Sequence, residues 1–186
     1  MITYATKNDR RHSTRSFATI DDARINPRLL HSCPFDCSIL ADMYISGKAE
    51  NVSPELIDSF KLWIFKEFHN HKLGSIIEVV SDDVSPDEML AHWHSKGILL
   101  VGDANSDHPF LSVADNVRFR ALHDWHHISL GAGFDITGEY RTFEQAILTA
   151  PKYLWWVLFS EIVLQAAACI ATGEFQDQKL VKTCIF

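Results

Sequence analysis

The sequence predicts a mainly α fold, α+β in detail: a compact helical domain with a small two-stranded sheet and a long buried C-terminal helix. Three observations carry this reading. Apolar residues recur at three- and four-residue spacing along most of the chain, between Ser-Pro starts and glycine stops. Only two short runs, SIIEVV and ILLVG, have the composition of strands. The stretch from Leu154 to Thr172 is almost wholly apolar, as a helix enclosed by core would be.

Residues 1–30 lack periodicity and read as an extended N-terminal arm, either mobile or docked on a neighbouring copy of the chain. Residues 31–186 read as a single helical domain. DCSILADMYISGK predicts a short helix with Asp36 as N-cap and Gly47 as stop. SPELIDSFKLWIFKEFHNHKLG predicts an amphipathic helix capped by Ser53, with Pro54 at its first position and an apolar face of Ile57, Phe60, Leu62, Ile64, Phe65 and Phe68. SIIEVV and ILLVG flank the helix SPDEMLAHWHSKG, so they can form one parallel strand–helix–strand unit. A helix from about Val113 to Leu130 follows the loop DANSDHPFLS. GAGFDITGEY reads as a glycine-rich connection, RTFEQAILTA as a short helix, and Pro151 as the start of the long apolar helix that ends at Gly173.

Composition narrows function. The chain has 186 residues, 47% of them hydrophobic and 22% charged, enough for a sizeable core. A formal charge of −7 argues against broad nucleic-acid binding. The first thirty residues hold no apolar run of the kind a signal peptide needs, and the four cysteines fit reduced thiols, so a cytoplasmic location is expected. Leu154 to Thr172 is long enough to suggest a membrane span. Glu161 and Gln165 near its middle would be costly in lipid, so no membrane association is expected.

Chemistry concentrates in FRALHDWHHISLGAGFDITGEY. His123 and His127 stand one helical turn apart and can offer two imidazoles to one metal ion. His126 neighbours them, and Asp124 is either a further ligand or a carboxylate that orients a histidine. Glu161 is a carboxylate in apolar surroundings, with Gln165 one turn later. It must be paired, hydrogen-bonded, protonated or bound to metal. It completes a metal set of His123, His127 and Glu161, unless it forms a buried pair with Arg118 or Arg120. Glu139 either suits a helix N-terminus or returns toward the histidines, and Asp135 caps or turns the chain. His92, His94, His69, His71 and His108 read more readily as structural.

These residues also resemble a known pattern. FRALHDWHH, GFDITGEY and EIVLQ are similar to a poorly characterised family of phages, plasmids and bacteria. Its members carry an Arg-Ala-x-His-Asp helix with a later His, a Gly-Phe-Asp loop running into Gly-Glu, and a Glu-x-x-x-Gln helix. The matching positions are Arg120, His123, Asp124, His127, Phe134, Asp135, Gly138, Glu139, Glu161 and Gln165. The resemblance implies a site and no particular reaction. The His-Asp doublet also resembles HD-domain phosphohydrolases, with His92 or His94 as the upstream histidine. The distal Asp of that pattern has no counterpart, and Glu161 would have to replace it.

The expectation is therefore a metal-dependent enzyme, a hydrolase, with a His/Glu site between helices. His123 and His127 would hold a divalent ion (Zn, Fe, Mn or Ni) with Glu161, or with Glu161 and Glu139 together, and the ion would activate water. Asp124 or Glu139 would act as base, Arg120 would hold an anionic group of a small-molecule substrate, and His126, Asp135 and Gln165 would support. Two rivals stand beside it. One is an accessory or interaction protein of a mobile element with a buried His/Glu network. The other is a non-haem iron protein that activates oxygen, though the paired Glu-x-x-His repeats of di-iron bundles are missing.

Overall fold

The computed structural model describes residues 33–104 and 106–185; the expected arm of residues 1–30 lies outside them. Helix α1, Cys37–Ser46, starts where the Asp36 carboxylate accepts the Ser38 N–H at 2.8 Å. Helix α2, Pro54–Asn70, is capped by Ser53 with Pro54 in its first turn. Its buried side is Phe60, Trp63, Ile64 and Phe68. Leu62 and Phe65, expected on that side, are about half exposed, because Trp63 rather than either of them faces the core.

Strand β1, Ile77–Val80, pairs in parallel with β2, Leu99–Gly102, in the register Ile77 to Leu99 through Val80 to Gly102. Between them lies α3, Pro86–Lys96. Ser85 forms a reciprocal capping box with Glu88, and Gly97 ends the helix in the left-handed region. The expected strand–helix–strand unit is thus present.

Helix α4, Val113–Leu130, is the central element. Ser112 caps it and Gly131, at φ 57°, closes it. Eleven of its residues are buried, among them Asn116, Arg120, His123, Asp124, His126 and His127. Helix α4 packs against α2, β2 and α5, which is why it carries so much buried polar surface between apolar neighbours. Helix α5, Ile136–Ile147, begins one turn earlier than the sequence suggests, since Asp135 caps it by accepting the Gly138 N–H at 2.8 Å.

The last helix, α6, runs Lys152–Thr172. It is long and apolar enough to cross a membrane, but 72% of its most apolar window is buried within the fold. The rest of the chain, chiefly α1 and α5, covers it. Its backbone is not uniform. A 3-10 turn, Lys152–Leu154, and one α turn, Trp155–Leu158, lead into a π segment, Phe159–Leu164, before α geometry resumes at Gln165–Thr172. A π segment widens the helix by shifting hydrogen bonds to i→i+5, and such segments often mark functional positions. Glu161 sits inside it.

Candidate metal centre

Two helices bring three metal-ligating side chains together. The i, i+4 spacing on α4 sets the His123 and His127 rings edge to face, 4.7 Å between centroids. The first turn of α5 then brings Glu139 against them. Its Oε2 lies 3.0 Å from His123 Nε2 and 3.5 Å from His127 Nε2, and the two Nε2 atoms are 3.3 Å apart. Ligand atoms from all three residues fall within 4.8 Å of one another, and all three residues are buried.

The close approach depends on a glycine. A Cβ on Gly138 would fall 1.7 Å from the carbonyl oxygen of Gly133. Only a residue without a side chain lets the first turn of α5 press on the 131–134 loop and carry Glu139 to α4. The same loop supplies Phe134, which stacks on the His127 ring at 4.2 Å.

Hydrogen bonds fix the His127 tautomer. Its Nδ1 lies 3.3 Å from the Ala132 carbonyl oxygen, which can only accept, so Nδ1 carries the proton. Its Nε2 then faces Glu139 and His123. A backbone carbonyl on the distal nitrogen is a usual partner of a metal-binding histidine. The Thr142 hydroxyl, 3.1 Å from His123 Nε2, donates to the Glu139 carbonyl at 2.8 Å, so it turns a lone pair inward as well. Three acceptors (His127 Nε2, the Glu139 carboxylate and Thr142 Oγ1) therefore surround one His123 nitrogen.

The ionisation pattern agrees. Burial lowers the pKa of His123 to about 4, against the smaller opposing effect of Glu139, so the ring is neutral near pH 7. Burial would raise the Glu139 carboxyl, but His127 and His123 beside it hold it far below the usual carboxylate range. A neutral His123 imidazole and an ionised Glu139 carboxylate are protonation states that a metal ion requires.

The other expected site residues have different surroundings. Glu161, expected as the third ligand, does not join this group; Glu139 takes that place. The Glu161 Oε1 lies 3.3 Å from His108 Nε2, with both side chains almost fully buried. The alternative Arg–Glu pair is not formed either. Arg118 bonds Asp115 at 2.8 Å, and Arg120 donates to the Ala104 carbonyl at 2.8 Å. Arg120 is 2% exposed and feels Asp124, Asp83 and Asp103, so these carboxylates neutralise a guanidinium expected to hold a substrate anion. Asp124 is buried outside this group, and its Oδ1 is 4.0 Å from His123 Nδ1, beyond hydrogen-bonding distance. Burial pushes its pKa up to about 6. His126 turns to the other side of α4 and meets the His71 ring edge to face, and burial first, then neighbouring histidines, lowers its pKa to about 3. Asp135 is the α5 cap. His92 bonds Glu78 at 3.1 Å. His108 is the participant that sequence reasoning assigned to structure. It sits before a proline in a loop, and no local spacing signals its approach to α6.

No family model, curated protein or solved structure matches the chain. Fold and geometry define it as a mainly helical α+β protein with a buried His/His/Glu cluster able to bind a metal ion.

Proposed function

We propose that His123, His127 and Glu139 bind one divalent metal ion and that the protein is a metal-dependent hydrolase. The observation that carries the reading is the convergence of His123 Nε2, His127 Nε2 and Glu139 Oε2, 3.0–3.5 Å apart and buried. Two histidines and one glutamate are the ligand set of several hydrolytic zinc sites, in which water takes the fourth position. Such an ion lowers the pKa of bound water toward neutrality and polarises a substrate carbonyl or phosphoryl oxygen.

Elemental analysis of tag-free protein, followed by assay of the zinc- and manganese-loaded forms on ester, amide and phosphoester substrates, tests this. The reading expects near-stoichiometric metal and turnover that disappears with Glu139→Gln. A metal-loaded protein inert on all three classes removes the hydrolase assignment and leaves the metal site.

A second reading has its own support. Two histidines and one carboxylate also form the facial triad of non-haem iron oxygenases. Iron retained through anaerobic purification, with oxygen consumption on addition of a reductant, would select it. If no metal binds after reconstitution, the cluster is a buried polar network and the protein an accessory or interaction module. Association with phages or plasmids, oligomerisation through the N-terminal arm and a cytoplasmic location belong with these proposals.

A further inference from the structure

The polar residues that the metal ion would not use gather on one face of α6. Glu161 and Gln165 lie at the π segment and just after it, and Cys169 follows one turn later. Glu161, Gln165 and His108 are only 6%, 3% and 9% exposed. Among the described residues, Glu161 Oε2 and both amide atoms of Gln165 have no hydrogen-bond partner. Buried polar atoms are rarely left this way, and three on neighbouring side chains call for a ligand or ordered water. Tyr44 borders Glu161 and Gln165. Its hydroxyl, however, bonds the Asp177 carbonyl at 3.1 Å and accepts the Lys179 N–H at 3.2 Å, and neither Gln165 amide atom is in bonding geometry with it.

The protons on these groups limit what can bind. Backbone N–H groups of Leu111 and Phe110 point at His108 Nδ1 from 3.2 and 3.4 Å, so Nδ1 accepts and Nε2 carries the proton. That proton faces Glu161. A bare cation next to Glu161 would meet it. The face therefore offers donors from His108 and Gln165 beside acceptors from Glu161 and Gln165. A planar group with N–H donors next to a carbonyl or ring-nitrogen acceptor matches this set.

We propose that His108, Glu161 and Gln165 form a binding subsite for an amide-type edge: a carboxamide, a urea or the hydrogen-bonding edge of a nucleobase. The subsite goes beyond the metal reading and does not need it.

Isothermal titration of the metal-free full chain with acetamide, urea, cytosine and uracil tests the proposal. Saturable binding of at least one is expected, weakened tenfold or more by Gln165→Leu and by Glu161→Gln. The first two probes separate small amides from nucleobases. Circular dichroism checks each variant, and Gln165→Met substitutes for Gln165→Leu if that variant does not fold. Three results would overturn the proposal: no saturable binding to folded wild type, binding that both α6 variants leave intact, or binding of Ca²⁺ or Mn²⁺ without the amides that is lost in Glu161→Gln.

Discussion

Among the described residues, two buried His–carboxylate clusters differ in a backbone contact. At His127, Nδ1 meets a carbonyl, donates to it and leaves Nε2 as a lone pair. At His108, Nδ1 meets two N–H groups, accepts from them and leaves Nε2 protonated. The side-chain types are the same and the chemistry is opposite. The first imidazole can bind a cation; the second can only donate a hydrogen bond while its loop stays folded. The fold sets this difference through the residues that follow each histidine. Gly131 ends α4 and turns the chain so that the Ala132 carbonyl returns to His127, while the loop leading into Ser112 turns its N–H groups back on His108.

The largest expected effect separates the clusters by metal affinity. His127→Ala or Glu139→Gln should weaken Zn²⁺ binding on the order of a thousandfold, about 4 kcal/mol, in a chelator competition titration. His108→Ala and Glu161→Gln should change it less than about threefold, or under 1 kcal/mol. Equal losses in both clusters would mean that they form one centre.

Next is the support beneath the first cluster. Gly138→Ala places a methyl against the Gly133 carbonyl. It should cost roughly 2–4 kcal/mol in denaturant unfolding and weaken metal binding with it. A neutral result would show that α5 can back away from the loop without moving Glu139.

Acid should unfold the metal-free protein through the α4 histidines. His123 and His126, lowered to about 4 and about 3, are held neutral in the fold but protonate near 6.5 when unfolded. Their stability contribution is present above 6.5 and falls as pH drops toward 4, by about 1.4 kcal/mol per pH unit for each histidine. Asp124, raised to about 6 from 3.8, acts in the opposite sense: its contribution is present below 3.8 and lost as pH rises through 6. Two histidines outweigh one carboxylate, so urea midpoints should decline from pH 6.5 to 4.5. Flat midpoints over that range would place the histidines in solvent.

The smallest effect is a control. Ser112→Ala removes the α4 cap and should cost about 1 kcal/mol in thermal unfolding without changing metal stoichiometry. Loss of metal in this variant would tie the site to the frayed end of α4.

Much of this was legible in the sequence and some was not, for local reasons. The bounds of α4, the Ser and Asp caps and the parallel strand pair follow from capping chemistry and periodicity, which act over a few residues. The His123–His127 pair follows from helical spacing. The place of Glu139 beside the histidines is less legible: its residue type marks it as a candidate, but Asp135 and Gly138, which start α5 before it, also read as part of a glycine-rich loop. Glu161 is legible as a carboxylate in the core, because its neighbours along the helix are apolar. Its partner lies 53 positions upstream in a loop, and the π segment that holds it has no sequence period to betray it. Long-range pairing and helix irregularity are settled by packing, and one sequence carries little trace of either.

Anomalous diffraction from a zinc-soaked crystal, recorded at the zinc edge, tests the central claim most directly. The account predicts one strong peak bounded by His123 Nε2, His127 Nε2 and the Glu139 carboxylate, with none at His108. A peak coordinated by Glu161 or His108, or no peak with the cluster open to the soak, would contradict it.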